Sequence, residues 1–303
     1  NSIEHIGKTE IYELNEKIVH GANLLRFRAN SELILPKYAL YVFKSETFIN
    51  FVKKFTNQAV NQASVNTKSL KSIQIPVPPL GAQKQIVEEL DGYQKIIDGC
   101  RQVIENYKPS IDIDPSWEKK ILGDYILINN GQTLTEFDED GDLAAIKVSD
   151  MNLERNEIKI QISNNKVKSS RFKSTHILKP NSIIFPKRGA AIATNKKRIT
   201  TIPCVIDNNC MGITVKDENV LIPNYLFYFL IGFDLSSISK SAGIALINNP
   251  DISSVKIPIP DISTQNKIVK KIQDELKIID SNNLLRKNFI QKINQTIKKI
   301  WSS

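Results

Sequence analysis

The chain has 303 residues, a formal net charge of +9, 41% hydrophobic residues and 24% charged residues. That length suits about two domains with cores of their own, and the charge excess favours an anionic partner. No run of 18 apolar residues occurs, which argues against a helical membrane span. Three cysteines without C-x-x-C spacing argue against a disulfide framework and a structural zinc, and point to a reducing, cytoplasmic setting.

The opening, NSIEHIGKTE, carries neither an initiator Met nor a basic-then-apolar leader, so further sequence upstream is expected. Residues 1–80 read as the end of a globular unit closed by the Pro-x-Pro turn of IPVPPLGAQKQIVEELD, which starts at Ile75. The prolines fit the approach to a helix and not its interior. A helix is predicted over about 82–107, within a segment 81–108, with apolar residues at Ile86, Leu90, Tyr93, Ile97, Cys100, Ile104 and Tyr107. Steps that alternate four and three are the seam of a coiled coil, and Pro109 ends the run.

Residues 109–262 read differently. YILIN, AAIKVSD, NEIKIQI, SIIFP and GITVK are short β-rich runs split by Gly, Asn and Asp, followed by a helix over IPNYLFYFLIG (222–232) and a strand in SVKIPIP. Charge is segregated along this stretch: 112–154 has a net charge of −8, 155–206 of +11 and 207–262 of −3. The acidic run EFDEDGD (136–142) lacks the twelfth-position Glu of a calcium loop and reads as a solvated hairpin. A second long helix is predicted over about 263–301, within 263–303, with a seam of Val269, Ile272, Leu276, Ile279, Asn283, Arg286, Ile290, Ile293, Ile297 and Ile300. Its polar members would set register. At 1.5 Å per residue the two helices would be about 40 and 55 Å long. The fold class is therefore α+β: globular units of mixed strands and short helices separated by long helices that form an antiparallel coiled-coil spacer.

The chain repeats itself. IPVPPLGAQKQIVEELD at 75 is answered by IPIPDISTQNKIVKKIQ at 257; laid over each other without gaps, residues 75–98 and 257–280 agree at ten of 24 positions. Upstream, LPKYALY (35–41) lies over IPNYLFY (222–228), with Pro36/Pro223, Tyr38/Tyr225 and Tyr41/Tyr228 in phase. A duplicated unit accounts for this, the second copy whole and the first represented by its last part.

A variable globule, a Pro-x-Pro turn, a Gln and a long helix, all repeated, resemble the specificity subunit of Type I restriction–modification systems. The residues that carry the resemblance are IQIPVPPLGAQKQIVEELD and VKIPIPDISTQNKIVKKIQ, their lead-ins NQASVNTKSLKSIQIP and GIALINNPDISSVKIP, and WEKKILGDYILINNGQTL. The last is similar to the opening of a target recognition domain. The resemblance implies part of a first recognition domain in 1–80, a complete second one in 109–262, and spacer helices at 81–108 and 263–303. It also implies that each domain reads half of a split site in double-stranded DNA. The helices would dock methyltransferase (modification) subunits, and a restriction subunit is a further candidate. Ile86, Leu90, Ile97, Ile104, Ile272, Ile279, Ile290, Ile293 and Ile297 are the candidate partner-binding residues. YQKIIDGCRQVIENYKPSIDIDPSWE is also similar to polypeptides that fuse a methyltransferase to such a module, which leaves that alternative open.

The DNA-contact expectation rests on the basic block. Phosphate contacts need cations and small donors on exposed loops, and FPKRGAAIATNKKR offers both. Lys187 and Arg188 precede Gly189, whose missing side chain allows close backbone approach, and Lys196, Lys197 and Arg198 follow. Arg188 is the candidate base reader, because Arg reads guanine bidentately. Lys166, Lys168, Arg171 and Lys173 are candidate phosphate contacts, and Ser241, Gly243, Asn248 and Asn249 candidate polar contacts. No catalytic constellation, cofactor motif or metal-ligand spacing is found: there is no P-loop, no nucleophile elbow and no Asn/Asp-Pro-Pro-aromatic loop. Recognition without catalysis is the leading reading, and a coiled-coil scaffold without a DNA role is the bland competitor.

Overall fold

The computed structural model describes residues 6–59, 62–65, 67–240 and 243–302. The chain divides into two compact units, one of Asn1–Tyr107 with Ile278–Ser303 and the other of Lys108–Lys277.

The first unit holds α1 (Pro36–Lys44), α2 (Glu46–Lys54), an antiparallel pair of β1 (Thr56–Ala59) and β2 (Gln62–Val65), α3 (Thr67–Lys71) and α4 (Leu80–Asn106). Pro36 opens α1, where a missing N–H costs nothing. Ser45 turns the chain into α2 by accepting the Phe48 N–H at 3.2 Å.

The second unit is built on three sheets. The strands, in chain order, are β3 (Lys119–Ile121), β4 (Ile126–Asn130), β5 (Leu143–Ile146), β6 (Lys159–Ile160), β7 (Asn165–Val167), β8 (Ile183–Pro186), β9 (Arg198–Thr200), β10 (Cys204–Ile206) and β11 (Cys210–Val215). After α5 (Pro223–Gly232) and α6 (Asn249–Ser253) come β12 (Lys256–Pro258) and the long α7 (Ile262–Ser302). The main sheet has the order β4-β11-β8-β9-β6, a second has β10-β5-β7, and β12 pairs with β3. The central β8 is buried along all four residues, which is why IIFP reads as a continuous apolar run and not an alternating one.

Two clamps show what the repeat preserves. Gln83 is fully buried; its Oε1 accepts the Leu35 N–H at 2.8 Å, and its Nε2 donates to Leu33 O at 2.9 Å and Pro78 O at 2.7 Å. Gln265 does the same with Ile222 N–H at 2.9 Å, Val220 O at 2.9 Å and Pro260 O at 2.8 Å. Tyr38 donates to Pro76 O at 3.0 Å, and Tyr225 to Pro258 O at 2.7 Å. In each copy the Gln on the long helix ties the entry of the short Pro-started helix to the Pro-x-Pro turn. The Gln side chain is buried and the backbone groups it meets are part-buried, so the clamp supplies partners where water has limited access.

Within the first unit, α4 and the C-terminal part of α7 run antiparallel. The Tyr93 and Phe289 rings meet edge-on at 5.3 Å, Thr296 donates to Glu89 at 3.3 Å, and Ile86, Val87, Ile300 and Trp301 join one apolar cluster with Tyr38 and Val42. Trp301 Nε1 donates to Ser45 Oγ at 3.1 Å. The predicted seam is corrected in its first turns. Val269 and Ile272 pack into the core of the second unit with α5 and the main sheet, not against the other long helix. Leu90, Ile97, Ile272 and Ile297 are buried and unavailable to a partner, because folding of the chain itself consumes them. Ile86, Ile104, Ile279 and Ile293 are half-buried, and Ile290 is exposed.

Cys100, Cys204 and Cys210 are free and buried. Burial pushes the Cys204 thiol up to about 12, and burial with the nearby Asp207 carboxylate also raises Cys210 well above the ordinary thiol value. Among the described residues no helix is long and apolar enough to cross a membrane, and no three His, Cys, Asp or Glu side chains converge as metal ligands.

Candidate nucleic-acid interface

The end of β4 starts the site. Gly131 follows Asn130 against the β10–β11 turn so closely that a Cβ there would lie 1.7 Å from Asp207 O. In that turn Asp207 accepts the Asn209 N–H at 3.2 Å. Asn209 O in turn accepts the Lys187 N–H at 2.8 Å. On its other side the 187–189 segment is laced to 245–247: Ile247 N–H donates to Lys187 O at 2.9 Å, and Gly189 N–H to Ala245 O at 2.8 Å. Three stretches far apart in sequence are thus held edge to edge by backbone bonds.

Side chains finish the junction. Lys187 Nζ donates to Asn130 Oδ1 at 2.9 Å, and Asn130 Nδ2 donates to Asn249 Oδ1 at 2.9 Å. Asn129 Nδ2 donates to Thr175 O at 2.9 Å, which draws the Lys173–His176 turn to the same strand end. Partial burial, then the adjacent Arg188 charge, lower the Lys187 pKa. Arg188 is exposed and Gly189 adopts φ +72°, with open space where a Cβ would stand. Lys240 pairs with Asp251 at 3.0 Å and braces the loop beneath α6. The Asn248 N–H holds the Asp251 carboxyl below its ordinary range.

The predicted hairpin separates into an outward and an inward half. Lys187, Arg188 and Gly189 face out. Asn195, at φ 52°, then turns the chain inward. Lys197 is only 1% exposed and donates to Asn195 Oδ1 at 2.7 Å and to Phe233 O; burial depresses its pKa to about 8. Arg198 donates to Asn156 O and to Met151 O at 3.0 Å, and Lys196 to Asn152 Oδ1. Lys197 is thus buried in the domain, while Arg198, half-buried, and Lys196 are tied to its body by these bonds.

The other candidates divide as well. Lys166 and Lys173 are exposed, with no carboxylate partner among the described residues. Lys168 pairs with Asp140 at 3.3 Å; Arg171 pairs with Glu136 at 3.1 Å and with Asp138. EFDEDGD is largely solvent-exposed, as expected, and also packs along the 166–171 segment. Ser241 lies outside the described residues. Asn248 and Asn249 are exposed at the start of α6, and Gly243 has φ 134°. Sequence reasoning missed Asn129 and Asn130; an Asn-Asn-Gly run at a strand end was the available signal.

A parallel-and-antiparallel sheet domain bearing a loop-borne basic and amide edge, followed by a Gln-clamped helix, and with that clamp repeated, defines a DNA-specificity module. The chain belongs to the family of the Type I restriction modification DNA specificity domain, whose model matches residues 1–106 and 115–295. It is 28% identical over 344 aligned positions to the "Putative type I restriction enzyme MjaX specificity subunit" of Methanocaldococcus jannaschii, covering 100% of this chain and 75% of that protein. Solved structures share the fold. A chain from a structure described as "Structural basis underlying complex assembly and conformational transition of the type I R-M system" aligns at TM-score 0.60 and 17% identity, over 90% of this chain and 72% of its own. The S subunit from M. genitalium aligns at TM-score 0.53 and 15% identity, over 87% and 72%. The HsdS subunit from Thermoanaerobacter tengcongensis aligns at 0.50 and 17%, over 90% and 71%.

Proposed function

We propose that Lys108–Lys277 reads one half-site of a split sequence in double-stranded DNA through the edge formed by Asn129, Asn130, Lys173, Lys187, Arg188 and Asn249. The observation that carries this reading is the Lys187–Asn130–Asn249 junction. It gathers a lysine ammonium and a chain of mutually bonded Asn amides on one exposed strand end, beside the Arg188 guanidinium, which has no ion-pair partner among the described residues. Asn and Arg are the side chains whose donor and acceptor patterns match adenine and guanine edges in the major groove. Lys166, Lys173 and Lys187 suit phosphates, and Gly189, with no side chain, leaves room for a strand to approach. Methylation falls to partner subunits docked on the exposed apolar residues of the long helices, among them Ile96 and Val103 on α4 and Leu284, Leu285 and Ile290 on α7. The chain supplies recognition and no chemistry of its own.

Three lysine–phosphate contacts give a log–log salt slope of about −2.7, or roughly a fortyfold loss of affinity between 50 and 200 mM salt. The test is selection from random duplex DNA with the chain co-expressed with a methyltransferase subunit, at two salt concentrations. An enriched short motif that is lost in K187A/R188A supports the reading. Enrichment that survives K187A/R188A removes this edge from the interface, and no salt-dependent retention at all favours the scaffold.

A further inference from the structure

We infer that the acidic turn at 136–142 is an internal stand-in for DNA phosphates that takes Lys168 and Arg171 out of the binding set, so that the domain discriminates against duplex lacking its site. The inference rests on the DNA reading above. Four observations carry it.

The contact is built, not incidental. Asp138 N–H donates to Lys166 O at 2.9 Å, Lys168 N–H to Asp138 Oδ2 at 3.0 Å, and Ser169 N–H and Oγ to the Asp142 carboxylate at 2.7 and 2.6 Å. A Cβ on Gly141 would lie 2.7 Å from Val167 N, so the two segments touch backbone to backbone. On that frame Glu136 and Asp138 grip the Arg171 guanidinium, and Asp140 reaches Lys168.

Stability does not explain the charges. The Glu136 and Arg171 side chains are 82% and 34% exposed, and those of Asp140 and Lys168 79% and 51%. Pairs this wet contribute about 0–1 kcal/mol each; the Arg171–Asp138 pair, at 34% and 23% exposed, is drier, but backbone bonds with the Asp142 cap already join the segments. The geometry instead copies the way a phosphate is held, with carboxylate oxygens on a guanidinium and an ammonium.

The turn also carries surplus charge. Among the described residues, Glu136, Asp138, Glu139, Asp140 and Asp142 face Lys166, Lys168 and Arg171 across the contact, and Lys147 stacks on Phe137 within the turn, so five acids still outnumber four cations. By contrast, Lys173, Lys187 and Arg188 have no ion-pair partner among the described residues. A DNA backbone displaced toward the 166–171 segment meets net negative charge, while one seated on the 187–189 edge does not. Like-charge juxtaposition of this kind rejects wrong complexes more than it strengthens the right one.

Finally, the placement suits the role. The clasped segment runs directly into the Lys173–His176 turn, whose Thr175 carbonyl is bonded to Asn129 at the proposed reading edge. The negative turn therefore borders that edge.

The experiment measures the salt dependence of binding to a random-sequence duplex of about 30 base pairs for the full chain. The variants are E136Q/D138N/D140N, K168Q/R171Q and their combination, with E88Q/E105Q/E154Q as a control of equal charge change. Asp142 is retained because it caps Ser169. Each freed cation adds up to about 0.9 to the slope. The acid-neutral variant should therefore steepen it by about 1.8 and bind nonspecific duplex at least threefold more tightly. K168Q/R171Q alone should leave the slope unchanged, yet should cancel the gain in the combination; the control should raise affinity without steepening the slope. A lower slope in K168Q/R171Q alone overturns the inference, because those cations would then already hold phosphates. So does an acid-neutral variant with a wild-type slope. If that variant does not fold, K168Q/R171Q decides by itself. Absence of salt-dependent binding in every protein, wild type included, overturns the DNA reading instead.

Discussion

Replacing Gln265 with Ala should cost the second unit about 4 kcal/mol. The side chain is fully buried and makes three hydrogen bonds to backbone: it accepts from Ile222 N and donates to Val220 O and Pro260 O. Alanine leaves a part-buried N–H and two part-buried carbonyls without that partner. Each such group costs about 1–3 kcal/mol, the donor more than the carbonyls, which have second lone pairs. The lost packing volume adds to this. At about 2–4 °C per kcal/mol for a unit of this size, melting should fall by roughly 8–16 °C. The chain has two tryptophans, Trp117 in one unit and Trp301 in the other. In a W301F background, urea unfolding followed by fluorescence reports through Trp117, so Q265A is compared with W301F alone. Q265E is the informative companion. It keeps an acceptor for Ile222 N–H but sets a carboxylate oxygen against two carbonyls, so its folded-state pKa lies above the unfolded value. The penalty is then absent below about pH 4.3, grows as pH rises above it, and is complete only above the raised folded-state pKa. A loss under about 1 kcal/mol in Q265A would refute the clamp as the reason the Gln is written twice.

Three other outcomes are expected. G131A, with its Cβ driven into Asp207 O, should destabilise the second unit by several kcal/mol and abolish DNA retention through unfolding, which thermal melting checks. Because burial holds Lys197 at about 8, below its unfolded value near 10.4, the folded state gives up its proton first, and wild-type stability should rise with pH across that window. K197M lacks the term, so wild type should gain on it between pH 8 and 10 while DNA retention stays equal; parallel pH profiles would refute the assignment. F289A removes the ring packed on Tyr93 and should cost the first unit about 2 kcal/mol, read by Trp301 in a W117F background.

Periodicity made the long elements legible. The predicted helices at 82–107 and 263–301 are Leu80–Asn106 and Ile262–Ser302, and the predicted 222–232 helix is Pro223–Gly232. Five of the β-rich runs and SVKIPIP contain strands, although β3, β7, β9 and β10 went unread; at three residues each they are too short to show a period. The basic block was visible as composition, but its partition was not. Whether a lysine faces water depends on a single left-handed residue, Asn195, that turns Lys197 inward, and on an acidic turn some thirty residues away that occupies Arg171. The Asn130–Lys187–Asn249 junction joins positions 57 and 119 residues apart. Such pairings follow from strand order, which a one-dimensional pattern does not contain.

The buried cysteines make the native chain quiet toward alkylating reagents. A thiolate is the reactive species, and Cys204 and Cys210 are both enclosed and strongly disfavoured as anions. Cys100 lies in one unit and the other two in its neighbour. Modification by a small maleimide should therefore proceed only as fast as each unit opens, and the rate at Cys100 against that at Cys204 and Cys210 is a built-in clock for the two openings. Any ligand that tightens the second unit alone should slow its two thiols and leave Cys100 on its original schedule.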